Sequence, residues 1–178
     1  MENNIAEILV VGASGATGLL VVKQLLNRGL KVRVIVRSID RLPDALIANN
    51  LLTITEATLL EMTDSALQAQ VQGCNAVISC LGHNVTLKGI YGQPRRLVSH
   101  AVERLCEAIK TARPEIPVKF VLMNTTGNRN RDLKEPISFG QKCVIGLLRL
   151  LLPPHVDNEQ AADYLRTQIG QKDLEIGR

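Results

Sequence analysis

The sequence predicts an α/β fold, a parallel sheet wound with helices on both faces, and two observations carry that reading. Short apolar runs rich in β-branched residues alternate along the chain with segments of helical period. The first of these runs passes straight into a glycine-punctuated turn and then a helix, "IAEILVVGASGATGLLVVKQLLNRG".

In that stretch Ile8–Val11 reads as a buried parallel strand. Gly12, Gly15 and Gly18 follow at three-residue intervals, and a helix runs to about Arg28 with Leu19, Val22, Leu25 and Leu26 on one face. Gly29 is its C-terminal stop. The first glycine permits a sharp turn, the second a close approach of backbone to phosphate, and the third close packing of helix on strand. A pyrophosphate then sits at the helix N-terminus, against free amides and the positive end of the dipole. The spacing is G-x-x-G-x-x-G; the bland alternative is a tight strand-to-helix turn with no ligand.

The second strand is "KVRVIVR", Lys31–Arg37. "SIDRLPDALIAN" is a short helix or irregular crossover, with Pro43 in a first turn. The third strand spans Leu51–Glu56, and "TDSALQAQVQG" is a helix capped by Thr63 or Asp64 and stopped by Gly73. "NAVISCLG" is the fourth strand, ending at Gly82, and "HNVTLKGIYG" is a polar loop at the carboxyl end of the sheet. Pro94 opens a long helix with Leu97, Ala101, Leu105, Ala108 and Ile109 as its apolar stripe. "VKFVLMNT" is the fifth strand and "GNRNRDLKEP" a charged loop. "SFGQKCVIGLLRLLLPP" is a helix stopped by Pro153 and Pro154, and "DNEQAADYLRTQIG" a last helix capped by Asp157 or Asn158. Right-handed crossovers give the strand order 3-2-1-4-5, a doubly wound, Rossmann-type sheet with its crevice between strands 1 and 4.

Bulk properties fit one domain, residues 1–178, with an aliphatic core: 46% of residues are hydrophobic and only 2% aromatic. The net charge of +4 comes from scattered Lys and Arg with no aromatic stacking platform, which argues against nucleic acid and for an anionic cofactor. Cys74, Cys80, Cys106 and Cys143 form no C-x-x-C pair, so no metal is expected, and they read as reduced thiols of a cytoplasmic protein. "MENNIAEILVV" lacks the basic region of a signal peptide, and "CVIGLLRLLL" is too short to span a bilayer and contains Arg149. No membrane association is expected.

At the end of the second strand an Asp or Glu would bond the 2′-hydroxyl of NAD, but this chain has Arg37 and Ser38. A guanidinium and a hydroxyl suit a 2′-phosphate, so NADP(H) is favoured over NAD(H). The competing reading makes Arg37 a surface residue and turns Asp40 toward the ribose.

The motifs "VVGASGATG", "VRVIVRS", "GCNAVISCLG", "KFVLMNTTG" and "NEQAADYLR" resemble those of the atypical short-chain dehydrogenase/reductase superfamily. The resemblance is to its NAD(P)H-binding subgroup related to biliverdin-IXβ/flavin reductase and nitrogen-metabolite-repressor-like sensors, and it spans nearly the whole chain. It implies that Gly12, Ser14, Gly15, Ala16, Thr17 and Gly18 hold the pyrophosphate and that Arg37 and Ser38 hold the 2′-phosphate. It further implies Leu59 near the adenine, with Leu81, Gly82 and Thr125 lining the ribose and nicotinamide.

The chain departs from the family pattern at three points. Thr58 stands where an Asp is usual. The Tyr-x-x-x-Lys pair is missing, since Tyr91 is followed four residues on by Arg95 and Tyr164 by Gln168. The sequence stops at "KDLEIGR", so strand six and the substrate lobe are expected to be lacking or shortened.

Carbonyl reduction by a Tyr–Lys pair is therefore disfavoured, whereas flavin reduction mainly asks the protein to position two rings. The expected function is an NADPH-dependent reductase of a flavin, quinone-like or similar planar acceptor. The alternative is a non-catalytic NADP(H) sensor that engages protein partners; a homodimer is a further option for assembly. His83 is the candidate acid, or a loop histidine with no task. His100 reads as structural, His155 is unplaced, and Asn124 with Thr125 either meets the carboxamide or satisfies its own turn.

Overall fold

A computed structural model describes residues 5–83, 95–124, 138, 140, 146 and 153–169. The chain divides into two compact units, Met1–Leu81 with Ala101–Met123, and Gly82–His100 with Asn124–Arg178.

The first unit holds a five-stranded sheet in the order β3-β2-β1-β4-β5. Its strands are β1 (Glu7–Val11), β2 (Lys31–Val36), β3 (Leu52–Glu56), β4 (Ala76–Ser79) and β5 (Lys119–Leu122). All pairings are parallel, with Val11 opposite both Ile35 and Ser79. This is the order expected from right-handed crossovers. Helices α1 (Ala16–Asn27), α2 (Asp44–Ile47) and α3 (Asp64–Val71) connect the first four strands. Helix α4 (Leu97–Ala112) leads into β5, and its residues from Ala101 onward belong to this unit.

The period of two along β1 builds a core on each face of the sheet. Ile8 and Val10 face Val22, Leu25 and Leu26 of α1. Leu9 and Val11 face Leu67 and Val71 of α3 and Ala101, Leu105 and Ala108 of α4. The stripes read from sequence for α1 and α4 are thus the buried faces, although Leu19, Leu97 and Ile109 are only partly covered.

Helix termini follow local chemistry. Gly29 (φ +73) and Gly73 (φ +78) adopt the left-handed conformation that glycine tolerates. Arg28 and Gly29 donate their amides to Leu25 and Leu26, closing α1. Thr63 caps α3, its Oγ1 accepting the Ala66 amide at 3.2 Å. Pro43 stands immediately before α2, preceded by a 3-10 turn at Ile39–Arg41.

Several boundaries are corrected: β2 ends at Val36, one residue before Arg37, β5 covers only Lys119–Leu122 of the expected eight-residue strand, and α4 begins at Leu97 rather than at Pro94. The last described helix, α5 (Pro153–Tyr164), begins at the proline pair and runs into a π turn at Leu165–Ile169. Pro153 and Pro154 therefore open this helix, where missing amide protons cost nothing. Asp157 lies inside α5 and does not cap it. The fourth strand also stops at Ser79, short of Gly82. The expected loop at residues 84–92, the charged loop and most of the helix before Pro153 lie outside the described residues.

Candidate functional site

At the carboxyl end of β1 the chain turns at Gly12, whose φ of +77° is the left-handed region. The turn presses against the end of β4: a Cβ on Gly12 would lie 2.5 Å from the carbonyl carbon and oxygen of Cys80 and 2.8 Å from the amide nitrogen of Leu81. A Cβ on Gly18 would collide with the Gly12 carbonyl. Both glycines are therefore demanded by backbone packing, as the spacing suggested. Between them the Gly15 amide donates to Gly12 O at 3.0 Å, and the Leu19 amide donates to Gly15 O at 2.8 Å. Ala13 is fully buried and anchors the turn, while Gly15, Ala16 and Thr17 are exposed and Ser14 is half-buried.

Helix α1 starts without a side-chain cap and has no acidic residue in its first turn. Its opening amides have no intrahelical partner, and the dipole adds partial positive charge there. Helix α3, by contrast, closes its own N-terminus with Thr63. An uncapped helix start on an exposed glycine turn offers main-chain amides that an anion can accept from.

Beside it, β2 delivers Arg37 and Ser38 at its carboxyl end. Arg37 is exposed and makes no hydrogen bond or ion pair among the described residues. Ser38 Oγ lies 3.4 Å from Asp40 Oδ2, and the Ile39 amide lies 3.4 Å from Glu56 Oε2. A free guanidinium and two carboxylates thus share this corner. Leu59 is only 8% exposed, its side chain packed in the core with Leu67 and Leu105, so its main chain is what the loop after β3 presents. Leu81 is half-buried two residues past the end of β4, adjoining Gly12, and Gly82 is exposed. Thr125 lies outside the described residues.

In the second unit His83 Nε2 lies 2.8 Å from Asp157 Oδ2. The same oxygen accepts the Val98 amide at 2.8 Å, while Oδ1 accepts the Ser99 amide at 3.0 Å and Ser99 Oγ at 2.6 Å. Asp157 is 2% exposed. Burial works against its charge, but the bonds from Ser99, His83 and the amides of Val98 and Ser99 outweigh it and hold its pKa below the usual value. An ionised carboxylate only accepts, so His83 Nε2 carries the proton. Asp157 thereby caps α4 rather than its own helix. Ser99 and His83 both bond to Asp157, which gives no serine–histidine pair for nucleophilic attack. No local signal marks Asp157 for this task, because its partners come from two other stretches of the chain.

His155 is buried with Nε2 3.5 Å from Glu159 Oε1, one turn along α5, and His100 is exposed on α4. Cys74, Cys80 and Cys106 are buried free thiols, and burial pushes Cys106 up to about 11. Among the described residues no cluster of ligating side chains could hold a metal ion, and no helix is long and apolar enough to cross a membrane.

A family model described as NAD(P)H-binding matches residues 12–172. No curated protein sequence matches the chain. Among solved structures it is similar to a short-chain dehydrogenase/reductase from Veillonella parvula, with a TM-score of 0.65 and 14% identity over 92% of this chain and 64% of that one. The structure of that protein in complex with NADP gives a TM-score of 0.63 and 15% identity over 91% and 64% of the two chains. A Streptococcus pneumoniae protein, provisionally assigned as an NADH-flavin reductase, gives 0.59 and 20% identity over 92% and 67%. Identities this low establish the fold alone. The chain spans a little under two thirds of the Veillonella protein.

Proposed function

Because the chain belongs to the NAD(P)H-binding family, we propose that its first unit holds NADP(H) and that the protein reduces a flavin, quinone-like or similar planar acceptor. The observation that carries this is the start of α1, where an uncapped helix opens on exposed Gly15, Ala16 and Thr17. Gly12, Ser14, Gly15, Ala16, Thr17 and Gly18 form the pyrophosphate cradle. When bound, the dinucleotide supplies a hydride. The chain supplies amide donors, a fixed turn and a guanidinium at Arg37 for the 2′-phosphate.

The acceptor class rests on what the chain lacks as well as what it holds. Tyr164 is followed by Gln168 rather than a lysine at the spacing that would activate it, so a planar acceptor that needs no carbonyl protonation fits best. The name of the Streptococcus neighbour points the same way. Buried free thiols suit a reducing compartment, and we place the protein in the cytoplasm.

Two other readings draw on specific observations. Asp40, whose Oδ2 lies 3.4 Å from Ser38 Oγ, puts a carboxylate just past the end of β2 and favours NAD(H). The missing Tyr–Lys pair favours a sensor that binds NADP(H) and signals to a protein partner. One set of experiments separates all three. Calorimetry with NADPH and NADH on the purified chain is followed by NADPH oxidation at saturating FMN or quinone. Tighter binding of NADPH with turnover supports the reductase, and tighter binding of NADH supports the NAD(H) reading. Binding without turnover favours the sensor, and no uptake of either nucleotide removes the reading altogether.

A further inference from the structure

Four of the five N–H donors of Arg104 go to one short stretch of chain. Its Nη1 donates to the carbonyls of Leu59 and Leu60, each at 3.0 Å. Its Nη2 donates to the Met62 carbonyl at 2.6 Å and to Asp64 Oδ1 at 2.7 Å. The side chain comes from α4, is 24% exposed, and lies with all its partners in the first unit.

The segment it grips is the 3-10 turn Leu59–Glu61 that follows β3. That turn has one backbone bond of its own, Glu61 N to Thr58 O at 2.8 Å, and no side-chain cap. Its later carbonyls do not continue into a helix and need outside donors. A planar fork with paired donors meets several carbonyls at once, which a lysine ammonium cannot do in fixed geometry.

The segment's position gives the contact a purpose. Val36 pairs with Glu56, and the Ala57 amide donates to Val36 O at 2.8 Å, so the chain leaves β3 directly beside Arg37 and Ser38. In a sheet of this order the ligand crevice lies beyond the carboxyl ends of the strands. The nucleotide's adenosine end therefore falls against Thr58–Met62. Leu59 turns its side chain into the core, which leaves the shape of the main chain to form the wall.

We propose that Arg104 is a positioning residue for the adenine end of the dinucleotide site: it holds Thr58–Met62 in the shape that receives the adenosine without touching the ligand. The proposal rests on the dinucleotide-site reading above.

Calorimetry with ADP-ribose, which carries the adenine half, and with nicotinamide mononucleotide tests it. If removing the clamp leaves the segment correctly shaped in about a tenth of molecules, Arg104→Ala weakens ADP-ribose roughly tenfold. Nicotinamide mononucleotide binding stays as in the parent, and Arg104→Lys recovers only part of the loss. An Arg104→Ala protein that is folded by circular dichroism and binds ADP-ribose as tightly as the parent overturns the role of Arg104 alone. Equal losses for both half-ligands overturn it too, since they mark a general structural defect. A parent chain that takes up no dinucleotide overturns the site reading and this proposal together. Should Arg104→Ala fail to fold, hydrogen exchange on the parent decides: slowed exchange at Leu59–Met62 on adding ADP-ribose is expected, and unchanged exchange overturns the proposal.

Discussion

Asp157 Oδ2 lies 2.8 Å from His83 Nε2, and the carboxylate that holds the histidine also closes the start of α4. One buried acid therefore ties the loop after β4, the first turn of α4 and the helix α5 into a single cluster. His83, the candidate acid of the sequence reading, has its Nε2 committed to this contact.

Asp157→Asn should cost about 2–4 kcal/mol, combining the loss of a cap with a weakened, buried bond to His83. The pH dependence follows from the lowered pKa. The unfolded chain takes up the proton first as pH falls, so the stabilisation is complete above about pH 5 and is lost progressively below pH 4. Urea denaturation at several pH values should show this acid limb in the parent and lose it in Asp157→Asn. An identical limb in both proteins would remove Asp157 as its source.

Gly12→Ala and Gly29→Ala form a contrasting pair. Both residues have positive φ, but an added Cβ at Gly12 meets the Cys80 backbone at 2.5 Å, whereas at Gly29 it meets nothing within 4 Å. Gly29→Ala should cost about 1–2 kcal/mol and leave nucleotide binding intact. Gly12→Ala adds overpacking, should cost at least about 3 kcal/mol, and should abolish binding in whatever protein folds. Thermal unfolding and calorimetry on the two variants check this; equal costs would mean that the close approach to β4 is not real.

Arg37→Ala should weaken NADPH by about 10–100-fold and change NADH by less than about twofold, since charge-assisted bonds are worth about 1.5–3 kcal/mol. Asp40→Asn separates the competing reading. Removing an exposed like charge should tighten NADPH about twofold, whereas loss of NADH affinity would assign Asp40 to the ribose.

Arg33 is a structural counterpart of Arg104. It bonds Glu7 through Nε and Nη2 at 2.7 and 2.9 Å, and its Nη1 reaches the carbonyls of Ala69, Gln70 and Gln72 at the end of α3. A cation there also meets the negative end of the helix. Arg33→Ala should destabilise the protein by about 2–3 kcal/mol without altering nucleotide affinity beyond what global stability explains. Arg33→Lys should recover less than half, because the ammonium lacks the planar fork. Urea denaturation beside calorimetry reads both effects.

Much of this was legible in the chain because it depends on neighbours in sequence. The alternation of Ile8, Leu9, Val10 and Val11 sets which face of β1 each side chain takes, and the stripe Ala101–Leu105–Ala108 sets the buried face of α4. Gly12 and Gly18 announced a turn that tolerates no side chain. Prolines were read only in part, since Pro153 and Pro154 also open α5, and a proline that can end one helix can equally begin the next.

Sequence by itself determined the sheet order, the glycine turn and the aliphatic core, because period, chirality and glycine's missing side chain act over a few residues. Tertiary structure alone decided that Asp157 caps another helix, that His83 is bound to it, and that Arg104 clamps the loop after β3. Each of those bonds joins residues far apart in the chain, and a carboxylate or guanidinium carries no local mark of which distant amide or carbonyl it will meet.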